Sequence, residues 1–316
     1  MKNLIKQFQN ISHQYDLWQK KSKIVIGVSG GPDSTCLLDI FFQLSKKYSL
    51  ELIIAHVNYS LRGKDSLMDE KFVTSLSEKY NIPIQILHPP KTTSKNTEEK
   101  LRKIRYDFFE KIRKDNNFDL VAVAHNRDDQ AETFLMRILR GSGLSGLGSM
   151  RFKNGCIIRP LLAASRRDVL HYLETKNLTY RTDKTNLESK FFRNKIRNQL
   201  IPYLEKNYNP NIKKTLFNAT LSISEDNSFL DDFARSYLEN DKSLSIKKIT
   251  SLYPAIQKRI IINFIASEKM DKKNVHALHI EEILKAIKST KGKNQTISFE
   301  GLKIIRKGDK VTISKL

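Results

Sequence analysis

The chain has 316 residues and is 39% hydrophobic, a length that suits about two domains with ordinary cores. It carries 56 Lys and Arg against 34 Asp and Glu, a net charge of +22. Such an excess suits a polyanionic partner, because cations that neutralise phosphates release counterions; a Lys-rich genome gives the same balance. Cys36 and Cys156 are the two cysteines, which excludes a disulfide framework and a zinc cluster. No apolar run approaches the ~20 residues of a membrane span, and the N-terminus has no apolar signal region. A cytoplasmic protein without a membrane partner is expected.

Leu4, Ile5, Phe8, Ile11 and Tyr15 recur at helical spacing and predict a packing helix. Strands are then predicted at 23–28, 50–57, 82–87 and 118–124. They alternate with helices at 33–47, 67–79, 97–114 and 127–140. That alternation predicts a parallel sheet with helices on both faces, and so ligands at the carboxyl ends of the strands. Ser165 to Asp168 has capping-box spacing and opens a helix through Thr175. After Pro202 the periodicity becomes helical, from about 211 to 290. The tail then alternates through Ile297, Phe299, Leu302, Ile304, Val311 and Ile313, punctuated by Gly301 and Gly308, which predicts a small antiparallel sheet. The expected domains are 1–205, catalytic α/β, and 206–316, basic, helical and then β.

Ser29, Gly30, Gly31, Pro32, Asp33 and Ser34 follow the first strand and open the first α/β helix. Glycines let the backbone approach an anion, and amides at the helix start and serine hydroxyls donate to it. The loop lacks the Gly-Lys-Ser/Thr of a Walker A sequence. It carries an acid instead, which would repel phosphate unless a divalent cation stood between them. A glycine-rich turn can also be an ordinary turn. The full hexapeptide in this setting resembles the loop of the PP-loop ATP pyrophosphatases, which cleave ATP between its α and β phosphates.

Further motifs follow in order. His56-Val57-Asn58-Tyr59-Ser60-Leu61-Arg62-Gly63 ends the second strand. Glu99-Lys100-Leu101-Arg102-Lys103-Ile104-Arg105-Tyr106 lies on the charged helix. His125-Asn126-Arg127-Asp128-Asp129-Gln130-Ala131-Glu132-Thr133 follows the fourth strand. Arg140-Gly141-Ser142-Gly143, Arg159-Pro160-Leu161-Leu162, Asp183 with Asn186, and Arg193-Asn194-Lys195-Ile196-Arg197 complete the series. Each has a plainer reading. The histidines can be core residues, the acids a helix N-terminal preference, and Arg102, Arg105, Arg193 and Arg197 solvated helix faces. In this order the set resembles the tRNA(Ile)-lysidine synthetase family, in its short form. Tyr59 stands where a second His is common and Asn126 where His is frequent.

The resemblance implies an adenine-nucleotide α-hydrolase-like fold and a ligase forming a carbon–nitrogen bond. ATP adenylates the carbonyl oxygen on carbon 2 of the wobble cytidine in a tRNA(Ile) with a CAU anticodon, and pyrophosphate leaves. Free L-lysine then displaces AMP, giving lysidine. It implies ATP as cofactor, with Mg²⁺ held by Asp33 and Asp129. Ser29 to Ser34 and His56 are expected to bind the nucleotide. Asp33, Arg105, His125, Asp129 and Glu132 are the expected catalytic residues, and Arg193, Asn194 and Arg197 are expected to contact tRNA or ATP. The oligomeric state stays open, a homodimer included. The competing readings are a PP-loop tRNA thiolase, which generally needs paired cysteines that this chain lacks, and a non-catalytic RNA-binding protein, which leaves the acid in the phosphate loop unexplained.

Overall fold

The first sheet is built from strands that are apolar on both faces. In the computed structural model, which describes residues 3–90, 98–148, 150–182, 192–238, 243–267, 277–289 and 294–315, α1 (Leu4–Gln14) leads into β1 (Lys23–Gly27), α2 (Pro32–Tyr48), β2 (Glu51–Val57), α3 (Lys64–Tyr80), β3 (Ile84–Leu87), α4 (Glu98–Asp115) and β4 (Leu120–Ala122). Next come α5 (Arg127–Ile138), the short α6 (Leu144–Leu147), the hairpin of β5 (Lys153–Asn154) and β6 (Ile157–Ile158), and α7 (Arg166–Thr175). The strand order is β3-β2-β1-β4-β6-β5. All neighbours are parallel except β5 and β6.

Residues alternate between the two faces. Ile24, Ile26, Ile54 and Ala122 point into a core shared with α1, α2, α3 and α7. Val25, Ile53, Ala55 and Val121 point into a second core with Phe109 and Ile112 of α4. Burial on both faces is why these strands read as continuous apolar runs. The chain steps from β1 to β2 to β3, then crosses back on the opposite face through α4 to place β4 beside β1. The carboxyl ends of β1 and β4 therefore form the topological switch point, where doubly wound sheets bind ligands.

Beyond α7, α8 (Phe192–Lys195) passes through a π-helical turn, Ile196–Leu200, into α9 (Ile201–Asn207). Then follow α10 (Ile212–Arg235), β7 (Ser243–Ser245), α11 (Ile246–Thr250), α12 (Pro254–Ser267), α13 (Ala277–Lys288), β8 (Gln295–Phe299), β9 (Leu302–Lys307) and β10 (Lys310–Lys315). The chain divides within α10 into two units, residues 1–222 and 223–316. The second unit has its own antiparallel sheet, β7-β10-β9-β8. Leu302, Ile304, Val311 and Ile313 cover its core together with Ile260, Ile261 and Ile283 of the helices. Its β8–β9 hairpin turns on Glu300 and Gly301, both at positive φ, the geometry that two-residue hairpins favour. The tail sheet thus has the predicted strands, and β7 joins them as a fourth that sequence periodicity does not mark.

Candidate functional site at the strand switch point

The loop after β1 closes on itself. Ser34 Oγ donates to the Gly31 carbonyl at 2.9 Å and accepts from the Ser29 amide at 3.1 Å. Ser29 Oγ lies 3.1 Å from Ser34 Oγ. Gly30 sits at φ +84°, and a Cβ there would meet Phe72 at 3.3 Å, so this position requires glycine. Its carbonyl accepts the Arg181 amide at 2.9 Å. The start of α2 has no side-chain cap, whereas α5 and α7 each open with a complete capping box. The first-turn amides of α2 thus keep free the donors that an anion would take. Pro32, in the first turn, has no amide to lose.

Asp33 projects from that first turn toward the loop after β4. Its Oδ1 accepts from Asn126 Nδ2 at 2.8 Å, and its Oδ2 pairs with Arg166 at the start of α7. Burial pushes the Asp33 carboxyl up to about 6, with nearby Asp129 adding to the rise against the pull of Arg166 and Asn126. Asn126, 3% exposed, also accepts the Asp129 amide at 3.0 Å while Asp129 Oδ2 accepts the Asn126 amide at 3.0 Å. One asparagine therefore fixes the geometry between the two acids. It stands where the resemblance led one to expect histidine.

One turn along α5, Glu132 is 2% exposed. Arg193 Nε donates to it at 2.9 Å and Arg197 Nε at 2.5 Å. Both guanidinium groups also reach Asp129 Oδ1 at 3.2 Å. The two arginines leave a helix that changes to π geometry at Ile196, a distortion frequent at functional sites. Asn194 is buried in the same turn. Among the described residues no set of three or more His, Cys, Asp and Glu forms a metal cage. The pair Asp33 and Asp129 suits instead a hard cation shared with nucleotide phosphates, which needs one or two carboxylates.

The histidines take separate positions. His56, on β2, is 4% exposed. Its Nδ1 donates to the Val28 carbonyl at 2.8 Å, leaving Nε2 buried without a partner. Burial lowers its basicity, so the ring is a neutral acceptor beside the phosphate loop. His125 follows β4 and has an unpartnered, buried Nδ1. Burial first, then Arg159, Arg102, Arg105 and Arg193, holds it well below the ordinary histidine range. Arg102 and Arg105 lie over the Tyr106 ring at 4.9 and 5.8 Å.

The residues singled out from sequence thus fall into three adjoining groups: the loop of Ser29 to Ser34 with His56, the acid–arginine cluster of Asp129, Glu132, Arg193 and Arg197, and the arginine-rich flank of His125 with Arg105. Asp33 joins the first two. Asp183 and Asn186 lie outside the described residues. Arg166 escapes sequence reading as a site residue: its helix start is legible, but its partner lies 133 positions away. Asp69 is a second such case, holding Arg62 at 2.7 Å and Arg181 at 3.0 Å beside the phosphate loop.

Residues 1–204 match the family described as PP-loop domain. The chain is 40% identical over 300 residues to the tRNA(Ile)-lysidine synthase of Clostridium tetani, covering 91% of this chain and 64% of that one. It is 34% identical over 316 residues to the tRNA(Ile)-lysidine synthase of Clostridioides difficile, covering 96% and 68%. It therefore spans about two thirds of the length of these relatives. Among solved structures, the U34-tRNA thiolase NcsA of Methanococcus maripaludis with its 4Fe–4S cluster superposes with a TM-score of 0.58 at 22% identity, covering 70% of this chain and 79% of that one. That likeness is one of fold.

Proposed function

We propose, from the premise that the chain belongs to the PP-loop domain family and to its tRNA(Ile)-lysidine synthase branch, that it uses ATP to join free L-lysine to carbon 2 of the wobble cytidine in a CAU-anticodon tRNA(Ile). The observation that carries the reading is the meeting of Asp33 with the Asn126–Asp129 capping box at the switch point. It places an acid inside a phosphate loop and a second acid beside it.

In the first step the carbonyl oxygen on carbon 2 attacks the α-phosphate of ATP and pyrophosphate leaves. Ser29, Ser34 and the uncapped amides of α2 hold the phosphates. His56 offers its bare Nε2 to a donor on the nucleotide. Mg²⁺ bound by Asp33 and Asp129 would offset the charge that builds on the phosphate oxygens. Arg105, next to His125, stabilises the departing pyrophosphate. In the second step the ε-amine of lysine attacks the activated carbon and AMP leaves. That amine must be neutral, and at pH 7 only about one in a few thousand is. Asp129 or Glu132 is the proton acceptor of this reading, which requires Arg193 or Arg197 to release a carboxylate oxygen when lysine binds. Arg193, Asn194 and Arg197 line this side of the crevice and meet the RNA or the nucleotide. The part of the chain from 206 onward grips the tRNA body.

The test is an incubation of the full chain with ATP, radiolabelled lysine and tRNA(Ile) carrying a CAU anticodon. Label should enter the RNA only when ATP is present, and one AMP should form per lysine joined. Sulfur incorporation at the wobble base without lysine would replace this reading with a thiolase.

A further inference from the structure

Arg159 directly follows β6 and precedes Pro160, whose missing amide ends the strand. Strands β4 and β6 run parallel, with Ala122 paired to Ile158. His125 and Arg159 therefore leave neighbouring strands at the same carboxyl edge, one and two strands away from the glycine loop. Arg159 is 5% exposed. Its Nη1 donates to the Arg151 carbonyl at 3.0 Å, and its Nε is buried without a partner. A guanidinium cannot shed its proton to escape burial, so it calls for a negative partner.

Three arginines of the crevice have theirs. Arg166 pairs with Asp33, and Arg193 and Arg197 pair with Glu132 and Asp129. Among the described residues no carboxylate pairs with Arg159, Arg102 or Arg105. All three nonetheless act on His125, and Arg105 and Arg159 both disfavour the charge on Arg102. The crevice is thus divided into a flank where acids balance arginines and a flank where they do not. Nothing in the steps assigned to the glycine loop uses Arg159.

We propose that Arg159, with Arg102 and Arg105 beside His125, forms a second phosphate-binding subsite at the carboxyl ends of β4 and β6, one and two strands away from the glycine loop. The ligand is a phosphate group, and two sources reach this edge if the activity proposed above is right: the pyrophosphate end of the nucleotide and a backbone phosphate of the RNA. A guanidinium fork fits either through paired N–H donors. Lysine would supply the charge without the fork.

The experiment measures binding by the full chain of inorganic pyrophosphate, of ATP and of a tRNA(Ile) transcript, for wild type, Arg159→Met and Arg159→Lys. If the nucleotide fills the subsite, Arg159→Met weakens pyrophosphate and ATP binding about tenfold or more, Arg159→Lys restores part of it, and RNA affinity holds. If the RNA fills it, pyrophosphate binding holds, RNA affinity falls, and the salt slope drops by about 1. Arg102→Met, at a half-buried position, repeats both arms should Arg159→Met not fold. Unchanged affinity for all three probes in folded variants overturns the subsite. Lysine is absent from every arm. A wild-type chain that joins no lysine to RNA would therefore defeat the proposed activity without touching this result.

Discussion

Asp33 illustrates how single residues are set against their own preferences. An acid in an uncapped helix start would ordinarily favour that N-terminus, yet here it competes with the anion that the loop is shaped to hold. Its carboxyl is pushed up to about 6 by burial and by Asp129, a strain that a cation would relieve. Gly30 makes a similar demand on the backbone. Gly30→Ala must hold a side chain at φ +84° against Phe72 and Val73, and should cost about 1–2 kcal/mol; an ATP titration should show weakened binding in the same variant. Glu132 carries more of the fold. Glu132→Ala removes the carboxylate that Arg193 and Arg197 share and should cost about 3–5 kcal/mol in a denaturant titration. Glu132→Gln keeps the shape and half the acceptors, so it should lose less stability, and loss of lysine transfer in it would assign the proton acceptor to Glu132 rather than Asp129. Equal stability of wild type and Glu132→Ala would show that the cluster does not hold the π-helical turn in place.

Between elements, the crevice depends on how α2, α3 and α7 are locked together. Asp39 of α2 is 6% exposed. It accepts from Tyr80 of α3 at 2.8 Å, from Tyr172 of α7 at 2.6 Å, and from Gln43 at 2.6 Å. Burial, then the hydrogen bond to Asp39, holds both phenols well above their ordinary range, so they remain donors. Tyr172→Phe removes one donor from a buried carboxylate and should lower stability by about 1–3 kcal/mol. Because α7 also carries Arg166, turnover should fall in the same variant; a thermal melt beside a rate measurement checks both. The strands and helices themselves were largely legible, since their apolar runs and capping residues are local signals. The π-helical turn at Ile196–Leu200 was not, because nothing in its periodicity differs from an α-helix. Strand β7 was missed because Ser243, Leu244 and Ser245 offer a single apolar residue. The predicted strand 118–124 shortens to 120–122 where the chain leaves the sheet to carry His125 and Asn126. The site's pairings, Asp33 with Arg166 and Asp69 with Arg181, join positions more than a hundred residues apart, and no local pattern encodes them.

At the scale of the whole chain, the excess of positive charge is spread over both units. Residues 223–316 hold 18 Lys and Arg against 12 Asp and Glu, +6 of the total +22, about their share by length. Lys213, within the first unit, is already paired with Asp128 at 3.0 Å and Glu205 at 3.3 Å, so it has little charge to spare for RNA. Lys214, Lys247 and Lys248 are exposed and test the proposed grip better. Reversing all three to Glu should weaken tRNA binding and flatten its salt slope by up to about 0.9 for each phosphate no longer neutralised, while the chemical step in saturating RNA changes little. No helix among the described residues is long and apolar enough to cross a membrane. The central claim is that the switch point between β1 and β4 activates a cytidine with ATP for attack by lysine. Mass spectrometry of nucleosides from tRNA(Ile) incubated with the chain, ATP and lysine tests it most directly. The account predicts lysidine at the wobble position with wild type and unmodified cytidine with a folded, tRNA-binding Asp33→Ala; lysidine formed by that variant at the wild-type rate, or none formed by wild type, would contradict it.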